Sequence, residues 1–119
     1  DLKELKFRVW NKVSKKMHNP QAISFDIQSC TPFAVSIPGK SWEPVEKYEL
    51  LQWTGMQDED GTDIYASDLV LIDYEIYKVN WNDHQGAFEL ISLKGAPPME
   101  ASALPTGKVI GNIYETENL

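Results

Sequence analysis

Apolar and polar residues alternate in this chain over short stretches, and turn-forming residues end each stretch before a helical period is established. Leu5, Phe7 and Val9 alternate with Lys6 and Arg8, the period-2 mark of a half-buried strand. Trp10 breaks that alternation, Asn11–Lys16 reads as a polar turn, and Met17-His18-Asn19-Pro20 closes a hairpin or opens a loop. Ile23, Phe25 and Ile27 alternate again. Residues 30–47 hold Pro32, Pro38, Gly39 and Pro44, so an irregular excursion is expected there.

The second half repeats the logic. Tyr48–Thr54 reads as a strand that stops at Gly55, and Asp58-Glu59-Asp60-Gly61 is a strong turn signal. Ile64-Tyr65 and the fully apolar Leu69–Ile72 follow. Tyr77, Val79 and Trp81 share one face of the next strand, 82–86 is a hairpin turn, and Ala87–Leu93 returns. A loop from Gly95 to Pro105 precedes a last strand over Val109–Tyr114, where Gly111 predicts a bulge or bend and Asn112 a bond to neighbouring backbone. Only 44–51 and 97–106 have room for a short helix. Short strands at such spacing predict an all-β barrel or sandwich, and 119 residues suffice for one domain with its own core.

Charge narrows the partners. The chain carries 11 Lys/Arg against 18 Asp/Glu, a net charge of −7, which disfavours a dedicated binder of duplex nucleic acid. The spread is uneven. Residues 1–18 hold six basic residues (Lys3, Lys6, Arg8, Lys12, Lys15, Lys16) against Asp1 and Glu4, or +4, which leaves −11 for the rest. Lys12, Lys15 and Lys16 are therefore candidates for docking an acidic surface, nucleic acid included; the alternative is a solvated strand face pairing with the chain's own acids.

The single cysteine, Cys30, forms no intrachain disulfide and reads as a small core or surface residue, so a reducing cytoplasm is expected. The first residues are charged with no apolar segment behind them, so no leader is expected. Nor is a membrane association, since the longest aliphatic run is Leu69–Ile72.

Catalytic signatures are missing: no phosphate-binding Gly-rich loop, no nucleophile elbow, no His-Glu-x-x-His. One Cys with His18 and His84 does not make a usual zinc site. Anchored on Gly61, the calcium-loop pattern fails at Met56 and Ser67. A looser cation site on Asp58, Asp60 and Asp63, or a divergent carboxylate enzyme adding Asp68, stays an alternative to turn capping. No catalytic residue, metal or cofactor is expected. Arg8 reads as pairing with a buried acid or stacking on a ring such as Trp10. Most of the 13 aromatics should fill the core, while Trp42, in the Pro-rich excursion, is the best candidate for an exposed recognition ring.

Three blocks together resemble the YopX family of phage and prophage proteins: Lys6-Phe7-Arg8-Val9-Trp10-Asn11 with Lys15-Lys16-Met17; Gln52 to Val70, containing Thr54-Gly55-Met56-Gln57-Asp58; and Val109-Ile110-Gly111-Asn112-Ile113-Tyr114-Glu115. Where the family often has Gly before the last Asp of the second block, Ser67 stands here. The resemblance implies an all-β fold with a small SH3-like barrel over 48–119, preceded by an N-terminal β arm or hairpin and the irregular Pro-containing excursion within 1–47. It marks Arg8, Trp10, Gly55, Asp58, Gly61, Ile64, Tyr65, Asp68, Gly111, Asn112 and Tyr114 as structural motif residues. It implies a phage setting and no enzymatic activity. The expectation is a cytoplasmic, non-enzymatic module that binds a phage or host protein, or itself as a homo-oligomer, with nucleic acid as the alternative partner.

Overall fold

The computed structural model describes residues 5–116, so Asp1, Lys3 and Glu4 of the basic start lie outside the described residues. The chain is all-β. Its strands are β1 (Phe7–Asn11), β2 (Lys16–His18), β3 (Ala22–Phe25), β4 (Pro32–Ser36), β5 (Trp42–Pro44), β6 (Tyr48–Gln57), β7 (Asp63–Tyr65), β8 (Asp68–Ile72), β9 (Glu75–Asn82), β10 (Ala87–Ser92), β11 (Met99–Glu100) and β12 (Lys108–Asn112). Single 3-10 turns at Val45–Lys47 and Ala101–Thr106 fall within the two segments that had room for a helix. No helix among the described residues is long and apolar enough to cross a membrane.

The strands form sheets of order β2-β1-β6-β7, β3-β4-β5 and β11-β10-β9-β8-β12. The chain divides into two compact units, Phe7–Leu51 and the residues from Gln52 onward together with those ahead of Phe7. Each has its own core. In Phe7–Leu51 it is Val9, Val35, Ile37 and Tyr48, with Val45 and Leu50 packed against it. In the other unit it is Ile64, Val70, Ile72, Tyr77, Val79, Leu90 and Leu104. Fully burying one such side chain is worth about 1.5–3 kcal/mol.

The structure corrects four expectations. The irregular excursion over 30–47 is a three-stranded antiparallel sheet. Its prolines stand where a sheet tolerates them: Pro32 opens β4, Pro44 closes the edge strand β5, and Pro38 lies in the turn between them. Gly55 does not stop its strand. β6 runs on to Gln57, with Gly55 at φ +84° where the register against β7 shifts between Trp53 and Gln57. Ile27 lies beyond β3, in a turn, and is 91% exposed. The last strand ends at Asn112, and residues 113–114 turn. The expected irregularity in that strand is the register shift between Val109 and Gly111.

One five-residue turn recurs four times. It starts at Asn11, Asp26, Asn82 or Asn112, whose carbonyl accepts the N–H four residues on, from Lys15, Cys30, Gly86 and Thr116, at 2.9, 2.7, 2.9 and 3.0 Å. Each side-chain oxygen takes the N–H two residues on, from Val13, Gln28, His84 and Tyr114. The short Asn or Asp side chain thus replaces the ladder partner that the backbone loses at a strand end. The fifth residue is left-handed in three of the four: Lys15 (φ 60°), Cys30 (φ 58°) and Gly86 (φ 61°).

Candidate interaction surface

The acidic motif of the second block closes on itself. Asp58 is buried, and its Oδ1 accepts the N–H of Asp60 and of Thr62, both at 2.9 Å, while Oδ2 accepts the Val109 N–H at 2.8 Å. Burial alone would raise its pKa. The Val109, Thr62 and Asp60 N–H groups and the charge of Lys108 outweigh that and hold the carboxyl below its ordinary value. Asp60 reaches Lys108 (4.0 Å), and Asp63 takes Lys6 (3.2 Å) and the Gln57 amide (3.2 Å). Asp68 is buried and accepts the Tyr65 N–H at 2.9 Å. The four carboxylates serve different partners, and among the described residues no three His, Cys, Asp or Glu side chains gather around a common point.

The other motif residues sit in the framework. Arg8 and Trp10 lie on β1, Trp10 buried and opposite Met17. Ile64 is fully buried and Tyr65 pairs with Trp53 across β6 and β7. Gly61 (φ 82°) lies in the turn that Asp58 holds. A Cβ at Gly111 would fall on the Thr116 hydroxyl, which accepts the Asn112 N–H at 3.2 Å. Asn112 is buried, and its oxygen takes the N–H of Tyr114 and Glu115 at 3.0 and 2.9 Å.

Four exposed large apolar side chains lie on the three-stranded sheet and the β3–β4 turn. Trp42 is 55% exposed on its edge strand β5. Phe25 (48%), Phe33 (67%) and Ile27 (91%) stand at the opposite end of the β3–β4 hairpin from Ser36 and, with Ser24 and Asp26, line a shallow open recess. Strand register separates the two features. Ile23 pairs with Val35 on the core-facing side, and Phe25, two residues on from Ile23 along β3, shares that side. Trp42 pairs with Ser36, on the other side. Two apolar features therefore project from two faces of one small sheet.

The turn beneath the recess is fixed from within. Its ends are joined by Asp26 N–H to Thr31 O at 2.9 Å, and the Asp26 carboxylate accepts the Ser29 hydroxyl at 2.8 Å. The Ser29 hydroxyl, then the Gln28 N–H, lower the Asp26 pKa. Period-2 reading sends Phe25 and Ile27 to the core because it follows a strand past its end. Asp26, with Gln28-Ser29 behind it, was the signal that the strand stops there.

The lysines of the first hairpin, Lys12, Lys15 and Lys16, are all exposed, and Lys12 reaches Glu49 at 3.7 Å. They lie on the β1–β2 hairpin, which belongs to a different sheet from Trp42. Charge divides by unit: Phe7–Leu51 holds six Lys/Arg and four acids, or +2, and the remaining described residues hold four Lys and eleven acids, or −7.

The YopX protein family matches residues 6–119, nearly the whole chain. No curated protein matches the sequence. The fold is similar to the crystal structure of protein EF1440 from Enterococcus faecalis, with a TM-score of 0.68 and 24% identity over 94% of each chain. With the family matched across both units and all three sequence blocks, the chain belongs to the YopX family.

Proposed function

We propose that this chain is a non-enzymatic accessory protein of a phage or prophage, working in the bacterial cytoplasm as an interaction module that binds a phage or host protein or assembles with itself. The observation that carries this reading is the exposure of Phe25, Ile27 and Phe33 around one recess, with Trp42 exposed on the other face of the same small sheet. A grouped set of large exposed apolar side chains is what contact surfaces present. The separate structural partners of Asp58, Asp60, Asp63 and Asp68 support a framework role for the acidic motif. The five antiparallel strands β8–β12, with a 3-10 turn ahead of the last, support reading that sheet as an SH3-like barrel.

Affinity capture from a bacterial host, read by mass spectrometry alongside light scattering, tests the reading. It expects a specific captured protein or a defined oligomer. A monomer that captures nothing specific contradicts it. The net +2 of Phe7–Leu51 favours one second reading, nucleic-acid association through Lys12, Lys15 and Lys16. That reading requires salt-dependent binding to DNA or RNA, lost when the three become Glu; no binding at ~50 mM salt removes it.

A further inference from the structure

We propose that the free edge of β3 takes up a short extended peptide as a fourth strand of the three-stranded sheet, with an apolar side chain of the peptide seated on Phe25, Ile27 and Phe33. The inference rests on the interaction-module reading and gives it a site, a binding mode and a partner chemistry.

Edge strands invite pairing, and proteins blunt them with charge, proline or bulges. Six strands among the described residues lie at sheet edges, and five are guarded in this way. Lys16 stands on β2, Asp63 on β7, Glu100 on β11, Lys108 and the Gly111 irregularity on β12, and Glu43 with Pro44 on β5. β3 reads Ala-Ile-Ser-Phe, with neither charge nor proline. Its one register shift, between Ser24 and Phe25, comes at the last residue and leaves Ala22–Ser24 regular. Among the described residues it pairs with β4 alone.

The apolar recess begins where that edge ends, at Ser24 and Phe25. A strand laid along β3 alternates its side chains across the sheet, so every second residue projects on the side shared by Ile23, Phe25 and Val35. Scaling a large apolar side chain by the exposures of Phe25, Ile27 and Phe33 gives a patch of roughly 400 Å². A stable protein–protein interface takes about 800 Å² from each partner. The patch suits an extended peptide and falls short of what a folded second copy needs. The turn is already closed by its own hydrogen bonds, and Asp26 already has the Ser29 hydroxyl and the Gln28 N–H. Covering it would cost little ordering.

Selection of a displayed random peptide library on the full chain tests this, with amide NMR of the labelled protein to map the selected peptide. The expected peptides carry apolar residues at alternate positions and shift the Ala22, Ile23, Ser24 and Phe25 amides. N-methylation of alternate peptide bonds in one of the two possible phases, and the exposed-site change Phe33→Thr, should each weaken binding about tenfold. Three results overturn the proposal: no enriched peptide, indifference to N-methylation in both phases, or shifts at Ala22–Phe25 on dilution of the protein alone, which would place a second copy on the edge. The variant Ser24→Lys separates this site from the broader reading. If it still captures a specific protein, the β3 site is wrong and the interaction module stands.

Discussion

Asp58 Oδ2 accepts the Val109 N–H at 2.8 Å, joining a turn to a strand fifty-one residues later. The same carboxylate holds the N–H groups of Asp60 and Thr62. Removing it leaves three backbone donors without their acceptor in a buried place, and each such donor is expensive. Asp58→Ala should cost about 3 kcal/mol. Asp58→Asn offers one acceptor oxygen in place of two and sets its NH₂ against an N–H donor, so it should cost about half as much. Denaturant unfolding monitored by tryptophan fluorescence measures both.

The same contact predicts a pH dependence. In the folded chain the Asp58 carboxyl lies below its ordinary value of 3.8. A depressed pKa contributes stability that is complete above the unfolded value and is lost as pH falls through the folded one. The stability gap between the wild-type chain and Asp58→Asn should therefore be constant near neutrality and narrow below about pH 4. Unfolding curves across pH 2–7 (roughly the window of carboxylate titration) read this directly. A gap unchanged at the acid end would show that the charge of Asp58 is not what holds Val109.

Gly107, which lies outside the motif residues, supplies a constraint in the core. A Cβ there would come within 2.6 Å of both Val70 Cγ1 and Ile72 Cγ1, in the core of its unit. Its carbonyl also accepts the Glu59 N–H at 3.0 Å, so its backbone has little freedom to withdraw. Gly107→Ala should destabilise by about 1–3 kcal/mol through overpacking. Thermal unfolding checks it.

Ser67 stands in a backbone conformation that favours glycine. Its φ is 71°, in the left-handed region, while its N–H binds the Val79 carbonyl at 2.8 Å and its carbonyl accepts the Ile113 N–H at 3.1 Å. Those bonds hold the strained backbone in place. Ser67→Gly should stabilise by about 1 kcal/mol, less the entropy glycine adds to the unfolded chain. Lys15→Gly, at φ 60° in the first recurring turn, should act the same way. Melting temperatures of the two variants measure the effect; a fall in both would remove the strain argument.

Much of the strand order was legible because side-chain period and turn residues agree. The hairpin of β9 and β10 around Asn82–Gly86, and β8 beneath its apolar run, are examples. Three things were not legible. A proline says that a residue lacks a donor, not which edge of which strand it occupies, so β4 and β5 were hidden behind Pro32, Pro38 and Pro44. A left-handed lysine or serine carries no signal of its own, as at Lys15 and Ser67, because surrounding hydrogen bonds impose the conformation. Phe25 and Ile27 read as one strand face because alternation of apolar residues does not report where a strand ends. Trp42 was distinguishable only because its neighbours Ser41 and Glu43 are polar.

The central claim is that the three-stranded sheet of Phe7–Leu51 is the working surface. Parallel affinity capture from host lysate by the wild-type chain, Trp42→Ala and the pair Phe25→Thr with Phe33→Thr tests it most directly, with folding of each variant verified by its melting curve. The account predicts a protein captured by the wild-type chain and lost in at least one of these variants while all of them stay folded. Equal capture by all three, or none by the wild-type chain together with a monomer in light scattering, would contradict it.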